Sequence, residues 1–146
     1  MTDGARTLID TNVLVYSINS AAEERKRNES KEIMAKGFRG ENTYYVALQS
    51  LEEFITVVTS AIQEPVSYQR AREYIQTIAE VPNFKLLETG PEQVLEAAEM
   101  MENGGKDYWD CIIASVAKQN EVEKIITENT QDFKDLDIEA ENPFIQ

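Results

Sequence analysis

The sequence predicts an α/β fold in which a parallel sheet of four to five strands is covered by helices on both faces, as a single domain over residues 1–146. Three observations lead there. Short apolar runs bounded by turn residues alternate with longer stretches of helical periodicity, and strands separated by helices at this spacing pair in parallel. One helical stretch, Cys111-Ile112-Ile113-Ala114-Ser115-Val116-Ala117, is apolar nearly all round, the pattern of a central helix packed on several sides. A chain of 146 residues also buries roughly two-thirds of its unfolded surface without disulfides or structural metals.

The first strand is Thr7-Leu8-Ile9, ending at Asp10. A buried run that ends in a carboxylate needs a cationic partner, either a bound metal or a distant Lys or Arg, because no basic residue lies beside it and the chain has no histidine. From Val13 the chain leaves the sheet, and Ala21 to Lys36 reads as a charged helix with Gly37 as its stop signal. Within it, Arg25, Lys26 and Arg27 form either a solvated face or a small positive rim. Tyr44 to Leu48 is the second strand by its aromatic and β-branched start. Ser50-Leu51-Glu52-Glu53 then fits a capping box, Ser50 as N-cap and Glu53 reaching back, with Leu51, Phe54, Ile55, Val58 and Ile62 at helical spacing.

Pro65 interrupts that pattern, and Ser67 to Ala79 forms a further amphipathic helix. Phe84 to Leu87 is the third strand, Gly90-Pro91 opens a helix to about Met101, and Asn103-Gly104-Gly105 is a loop. Asp107 has the position of an N-cap for the central helix, with Asp110 in its first turn, where a negative charge gains from the helix dipole. Lys124 to Thr127 is the fourth strand, and Asp137 to Ala140 a short last one.

The formal charge of −13 argues against a broad electrostatic grip on nucleic acid, though not against a substrate held by a divalent ion and a local basic patch. The one cysteine, Cys111, sits in the apolar helix as a core residue, so disulfides play no part. Neither a signal-like segment at the start nor an apolar run near the roughly 20 residues that span a bilayer is present, which leads us to expect a cytoplasmic protein without membrane contact.

Ligand sites in parallel sheets form beyond the carboxyl ends of the strands. Asp10 ends the first strand, Glu53 follows the second, Asp110 begins a helix on the same side, and Glu128, Asn129 and Asp132 follow the fourth. Each acid has a local explanation, but carboxylates gathered at one edge repel unless a cation binds. Oxygen-only ligands suit Mg²⁺ or Mn²⁺, whose usual chemistry is phosphoryl transfer with a metal-activated water.

The segments Leu8 to Tyr16, Gln49 to Phe54, Tyr108 to Ala114 and Ile126 to Phe133, with the closing Asn142-Pro143-Phe144, resemble the PIN-domain ribonucleases, and within them the VapC toxins of type II toxin–antitoxin pairs. The resemblance spans almost the whole chain. It implies a three-layer α/β/α domain and a Mg²⁺- or Mn²⁺-dependent endoribonuclease, usually a homodimer, inhibited by a cognate antitoxin. Its first three acids fall on Asp10, Glu53 and Asp110; the slot two residues after Thr127 holds Asn129 where many members have Asp, with an acid at Asp132 three residues later. The implied metal site is therefore Asp10, Glu53, Asp110, Asn129 and Asp132, with Asp132 carrying the fourth charge. Asn12 and Thr127 are placed to orient the carboxylates or a water.

Two other readings stand beside this one. A haloacid dehalogenase-type phosphatase also starts from a strand ending in Asp, but its second acid would fall on Asn12. A catalytically weak PIN-like module would bind a protein or RNA without cutting it.

Overall fold

In the computed structural model, which describes residues 5–145, a parallel five-stranded sheet runs in the order β3-β2-β1-β4-β5. Its strands are β1 (Thr7–Ile9), β2 (Tyr44–Ala47), β3 (Phe84–Leu87), β4 (Lys124–Ile126) and β5 (Glu139–Glu141). Six helices connect them: α1 (Thr11–Ile18), α2 (Glu24–Phe38), α3 (Leu48–Ser60), α4 (Tyr68–Glu80), α5 (Pro91–Glu102) and α6 (Tyr108–Gln119). Strand β1 is central, with Thr7 opposite both Tyr44 and Lys124.

The pleat of the sheet divides the interior into two cores. Ile9 and Val46 face one side, where α1 to α4 contribute Leu14, Met34, Phe54, Val58 and Ile78. Their neighbours Leu8 and Ala47 face the other, against Ala97 of α5 and the Cys111–Ala117 body of α6. This is the three-layer α/β/α arrangement expected from the alternation of elements. Every residue from Cys111 to Ala117 is buried, and the Cys111 thiol lies 3.8 Å from Met101 Sδ, as a core residue.

Several boundaries differ from the expected ones for identifiable reasons. Ser50 is not an N-cap. Strand β2 ends at Ala47, not Leu48, and passes directly into α3 with Ala47 as the cap, so Ser50 is a buried third helical residue whose hydroxyl has no partner. The capping-box role for Glu53 falls with it, leaving that carboxylate free of a cap. Nor does Gly37 stop the second helix, which runs from Glu24 through Phe38. A Cβ at Gly37 would lie 2.4 Å from Phe84 Cζ, so close packing of α2 on β3 requires glycine there, and the reversal falls to Gly40 at φ +77°. Strand β4 stops at Ile126, and β5 begins two residues later than expected, after Asp137 turns the chain at φ +56°.

Other signals hold. Ser67 Oγ accepts from Arg70 N at 3.1 Å as the cap of α4, and Pro91 opens α5 behind Gly90, whose N–H donates to Gln93 Oε1. Asp107 caps α6 by accepting from Asp110 N at 3.0 Å. No helix among the described residues is long and apolar enough to cross a membrane.

The Gly37 contact yields a stability test. In an ordinary helix interior Gly→Ala gains about 1 kcal/mol, but the buried Phe84 ring, packed against Phe38 and Tyr44, cannot swing away. Gly37→Ala should therefore lower stability by about 1–3 kcal/mol in urea denaturation. Much of that loss should return when Phe84→Leu is added, because the two substitutions share one contact.

Candidate metal centre

The site is built at the carboxyl edge of the two central strands. Asp10 follows β1 directly and caps α1, its Oδ1 accepting from Thr11 N at 2.8 Å. Its Oδ2 accepts from Thr127 Oγ1 at 2.8 Å and from Asn12 Nδ2 at 3.3 Å. Asn12 in turn donates to Thr127 Oγ1 at 3.1 Å and accepts from Glu128 N at 3.1 Å, while Asn129 N donates to Thr127 Oγ1 at 3.0 Å. Thr127 is fully buried. This web stitches the end of β4 to the start of α1 and fixes the Asp10 carboxylate in one orientation, the task expected of Asn12 and Thr127.

Asp10 keeps an opening to solvent but is walled by protein on its other sides. Burial pushes its carboxyl above the ordinary value, the bonds from Thr127 and Thr11 hold it down in part, and the charges of Glu53 and Asp132 push it up again. Asp110, half-buried in the first turn of α6, is raised to about 7 by burial and by the charges of Asp107, Asp132, Asp10 and Glu53. The charges of acids from separate elements therefore converge on Asp10 after β1 and Asp110 in α6, those of Glu53 in α3 and of Asp132 in the 3-10 turn Thr130–Phe133 reaching both. The buried Phe133 ring anchors that last turn. Among the described residues, none of the ion pairs involves any of the four.

The donor set fits a hard divalent cation. Its donors are all oxygen, and a carboxylate has about four lone-pair positions, of which hydrogen bonds occupy three on Asp10. One remains open. Glu53 and Asp132 are exposed and accept no side-chain hydrogen bond among the described residues. Among the described residues no three His, Cys, Asp or Glu side chains are grouped closely enough to hold a metal ion as they stand. Asn129 is exposed, its backbone N–H tied to Thr127, while Asp132 supplies the charge that reaches both Asp10 and Asp110.

Glu128 does not join the acids, contrary to the convergence expected of the segment after β4. Its Oε1 accepts from the Tyr16 hydroxyl at 2.8 Å, and Lys26 Nζ approaches its Oε2 at 2.7 Å as an ion pair. Of the two readings of Arg25, Lys26 and Arg27, a solvated face or a positive rim, the fold leaves neither intact, because each side chain is engaged with an acceptor. Arg25 donates to the Phe144 carbonyl, and Arg27 donates to the carbonyls of Ser20 and Ala22. Tyr16 and Lys26 had no local signal, since their partner is over a hundred positions away; only the fold brings Tyr16 against Glu128 and, edge-on at 5.4 Å, against Phe144. A cavity of about 470 Å³ flanks the site, with Asp107, Asp110 and Asp132 in its wall and Met100, Cys111 and Leu136 beneath.

A model of the PIN domain family matches residues 7–139. The chain belongs to the PIN domain family. This PIN domain superposes on a toxin–antitoxin complex from Klebsiella pneumoniae with TM-score 0.65, at 21% identity over 96% of this chain and 99% of that one. FitAcB from Neisseria gonorrhoeae superposes with TM-score 0.66, at 17% identity and coverage of 96% and 99%. VapC20 from Mycobacterium tuberculosis, described as a toxin that cleaves the sarcin–ricin loop, superposes with TM-score 0.61 at 12% identity, covering 82% of this chain and 86% of its own. At these identities the likeness establishes the fold. Comparison with curated protein sequences finds no match.

The crowding of charge predicts a pH signature. The Asp110 carboxyl titrates at about 7 in the fold against 3.8 ordinarily, so the folded protein holds that proton more tightly than the unfolded chain. The associated stability is complete below about pH 4 and is lost as pH rises through 7. In EDTA, Asp110→Asn should melt a few degrees above wild type at pH 8, partial exposure keeping the effect modest, and the gap should close toward pH 5. Thermal melts across that range check it, and a gap independent of pH would mean that charge is not the cause.

Proposed function

We propose that this PIN domain is a Mg²⁺- or Mn²⁺-dependent endoribonuclease, the toxin of a type II toxin–antitoxin pair. The observation that carries the reading is the convergence of the charges of Asp10, Glu53, Asp110 and Asp132 at one sheet edge, with none of them in an ion pair among the described residues. A fold spends stability on such a cluster when a bound cation makes use of it. Asp10, Glu53, Asp110 and Asp132 would hold the ion, with Asn129 beside them as a neutral oxygen donor. A divalent ion in such a site lowers the pKa of a water and offsets charge on a phosphodiester.

The residues of the chain then have distinct tasks. Asp10 is the fixed member, because Thr11, Asn12 and Thr127 leave its carboxylate no other rotamer to adopt without losing hydrogen bonds. Glu53 and Asp132 are the exposed members, on the side from which a long polymer can approach. The reaction adds water across one P–O3′ bond: the water oxygen joins phosphorus, the 3′ oxygen leaves and takes a proton, and a 5′-phosphate and a 3′-hydroxyl result.

The structural neighbours support the toxin assignment, since the Klebsiella structure is a toxin–antitoxin complex and VapC20 is described as a toxin that cleaves the sarcin–ricin loop. An antitoxin partner and a homodimer accord with this reading. The helices Leu48–Ser60 and Tyr68–Glu80 commit Leu51, Phe54, Val58, Ala71 and Ile78 to the core, so a second chain would have to use what they leave outside, such as the exposed Tyr68.

Cleavage of a mixed RNA pool tests the proposal. Wild type with Mn²⁺ should cut, EDTA should stop it, and Asp10→Asn should lose at least about a hundredfold in rate while staying folded. The new ends should accept a ligase that requires 5′-phosphate. Ends carrying 2′,3′-cyclic phosphate would rule out attack by water, and equal activity in wild type and Asp10→Asn would leave the protein as a binding module.

A further inference from the structure

Trp109, the only tryptophan of the chain, is 60% exposed and lies one residue before the site acid Asp110 in the first turn of α6. An indole left in water beside a hydrolytic site is unexplained by folding, since the apolar body of α6 begins only at Cys111. Its ring nevertheless has a partner: Tyr108 meets it edge-on, centroids 5.2 Å apart and planes at 72°. A face presented in this way is a platform for another flat ring.

Charge supplies the second half of the argument. RNA binders ordinarily gain affinity by neutralising phosphates, yet this chain carries −13, and Arg25, Lys26 and Arg27 are each committed to an internal partner. Beside four carboxylates, a term that charge does not oppose adds to what a bound ion and the cavity lysines Lys106 and Lys118 supply. Base stacking on an aromatic face is such a term, is open to unpaired bases, and contributes between about 5- and 150-fold in affinity per base.

Resting on the endoribonuclease reading, we propose that Trp109 is a substrate-binding residue that stacks an unpaired base next to the scissile phosphate. The indole touches the base and leaves the reacting atoms to the carboxylates. Duplex RNA, whose bases are already stacked on their neighbours, cannot use the platform.

The single tryptophan makes the test direct. A single-stranded oligoribonucleotide is titrated into wild-type protein in EDTA, and into Asp10→Asn with Mn²⁺, following indole emission together with the anisotropy of a dye-labelled copy. Emission should fall in step with anisotropy, and a duplex of the same sequence should leave it unchanged. Trp109→Ala should weaken single-strand binding and raise KM at least fivefold, with the slope of affinity against salt unaltered, and Trp109→Phe should restore most of the loss.

Anisotropy that saturates while emission stays flat, or Trp109→Ala binding as tightly as wild type, overturns stacking and leaves the nuclease reading intact. Absence of both binding and cleavage defeats the two together. Emission that depends on protein concentration without RNA shows a second copy covering the ring, which also overturns the proposal.

Discussion

Mutual repulsion among carboxylates at the carboxyl edge of the sheet is the constraint around which this structure is arranged. Asp10 stands just past the end of a three-residue strand in the middle of the sheet, where the charges of Glu53 and Asp132 raise its proton affinity, and the same two charges, with that of Asp10, raise the proton affinity of Asp110. A solvated surface would let such charges spread apart. Here each sits on an element pinned by one of two buried cores, so the charges stay together and the fold carries the strain. Asp10 and Asp110 carry the cost of this arrangement, and both are held in place regardless.

The holding is done by neutral groups. Thr127 and Asn12 satisfy the Asp10 carboxylate with three hydrogen bonds between them and the backbone of Thr11, without supplying the positive charge that would cancel it. One nearby cation is kept elsewhere: Lys26 is drawn to Glu128, which is drawn in turn to Tyr16. The closing Asn142-Pro143-Phe144 segment completes this side wall. Asn142 Nδ2 donates to the Glu128 carbonyl at 3.4 Å, and the Phe144 ring packs on Tyr16. Together these groups brace the loop after β4 that delivers Thr127, Asn129 and Asp132.

Much of this was readable in the chain because it depends on local pattern. Alternating strands and helices specify the parallel sheet, the apolar run in α6 specifies its central place, and acids at the ends of strands β1 and β4 must emerge at one edge. Ser50 and Gly37 were misleading for a common reason. Their residue types favour caps and stops, but burial of Ser50 and the pressure of the Phe84 ring on Gly37 are tertiary effects that override local preference. Glu128 was grouped with the site acids by sequence position, and only the fold reveals that its carboxylate turns to Tyr16 and Lys26. The exposure of Trp109 was equally hidden, since an aromatic beside an apolar helix reads as core until its surroundings are known.

Calorimetric titration of the metal-free protein with Mn²⁺ tests the central claim most directly, using wild type, Asp10→Asn and Asp110→Asn in the same buffer. If the cluster is held together for a cation, wild type takes up Mn²⁺ saturably, Asp10→Asn loses that uptake, and Asp110→Asn binds more weakly than wild type. Wild-type protein that takes up no Mn²⁺, or an Asp10→Asn variant that binds it equally well, would contradict the account.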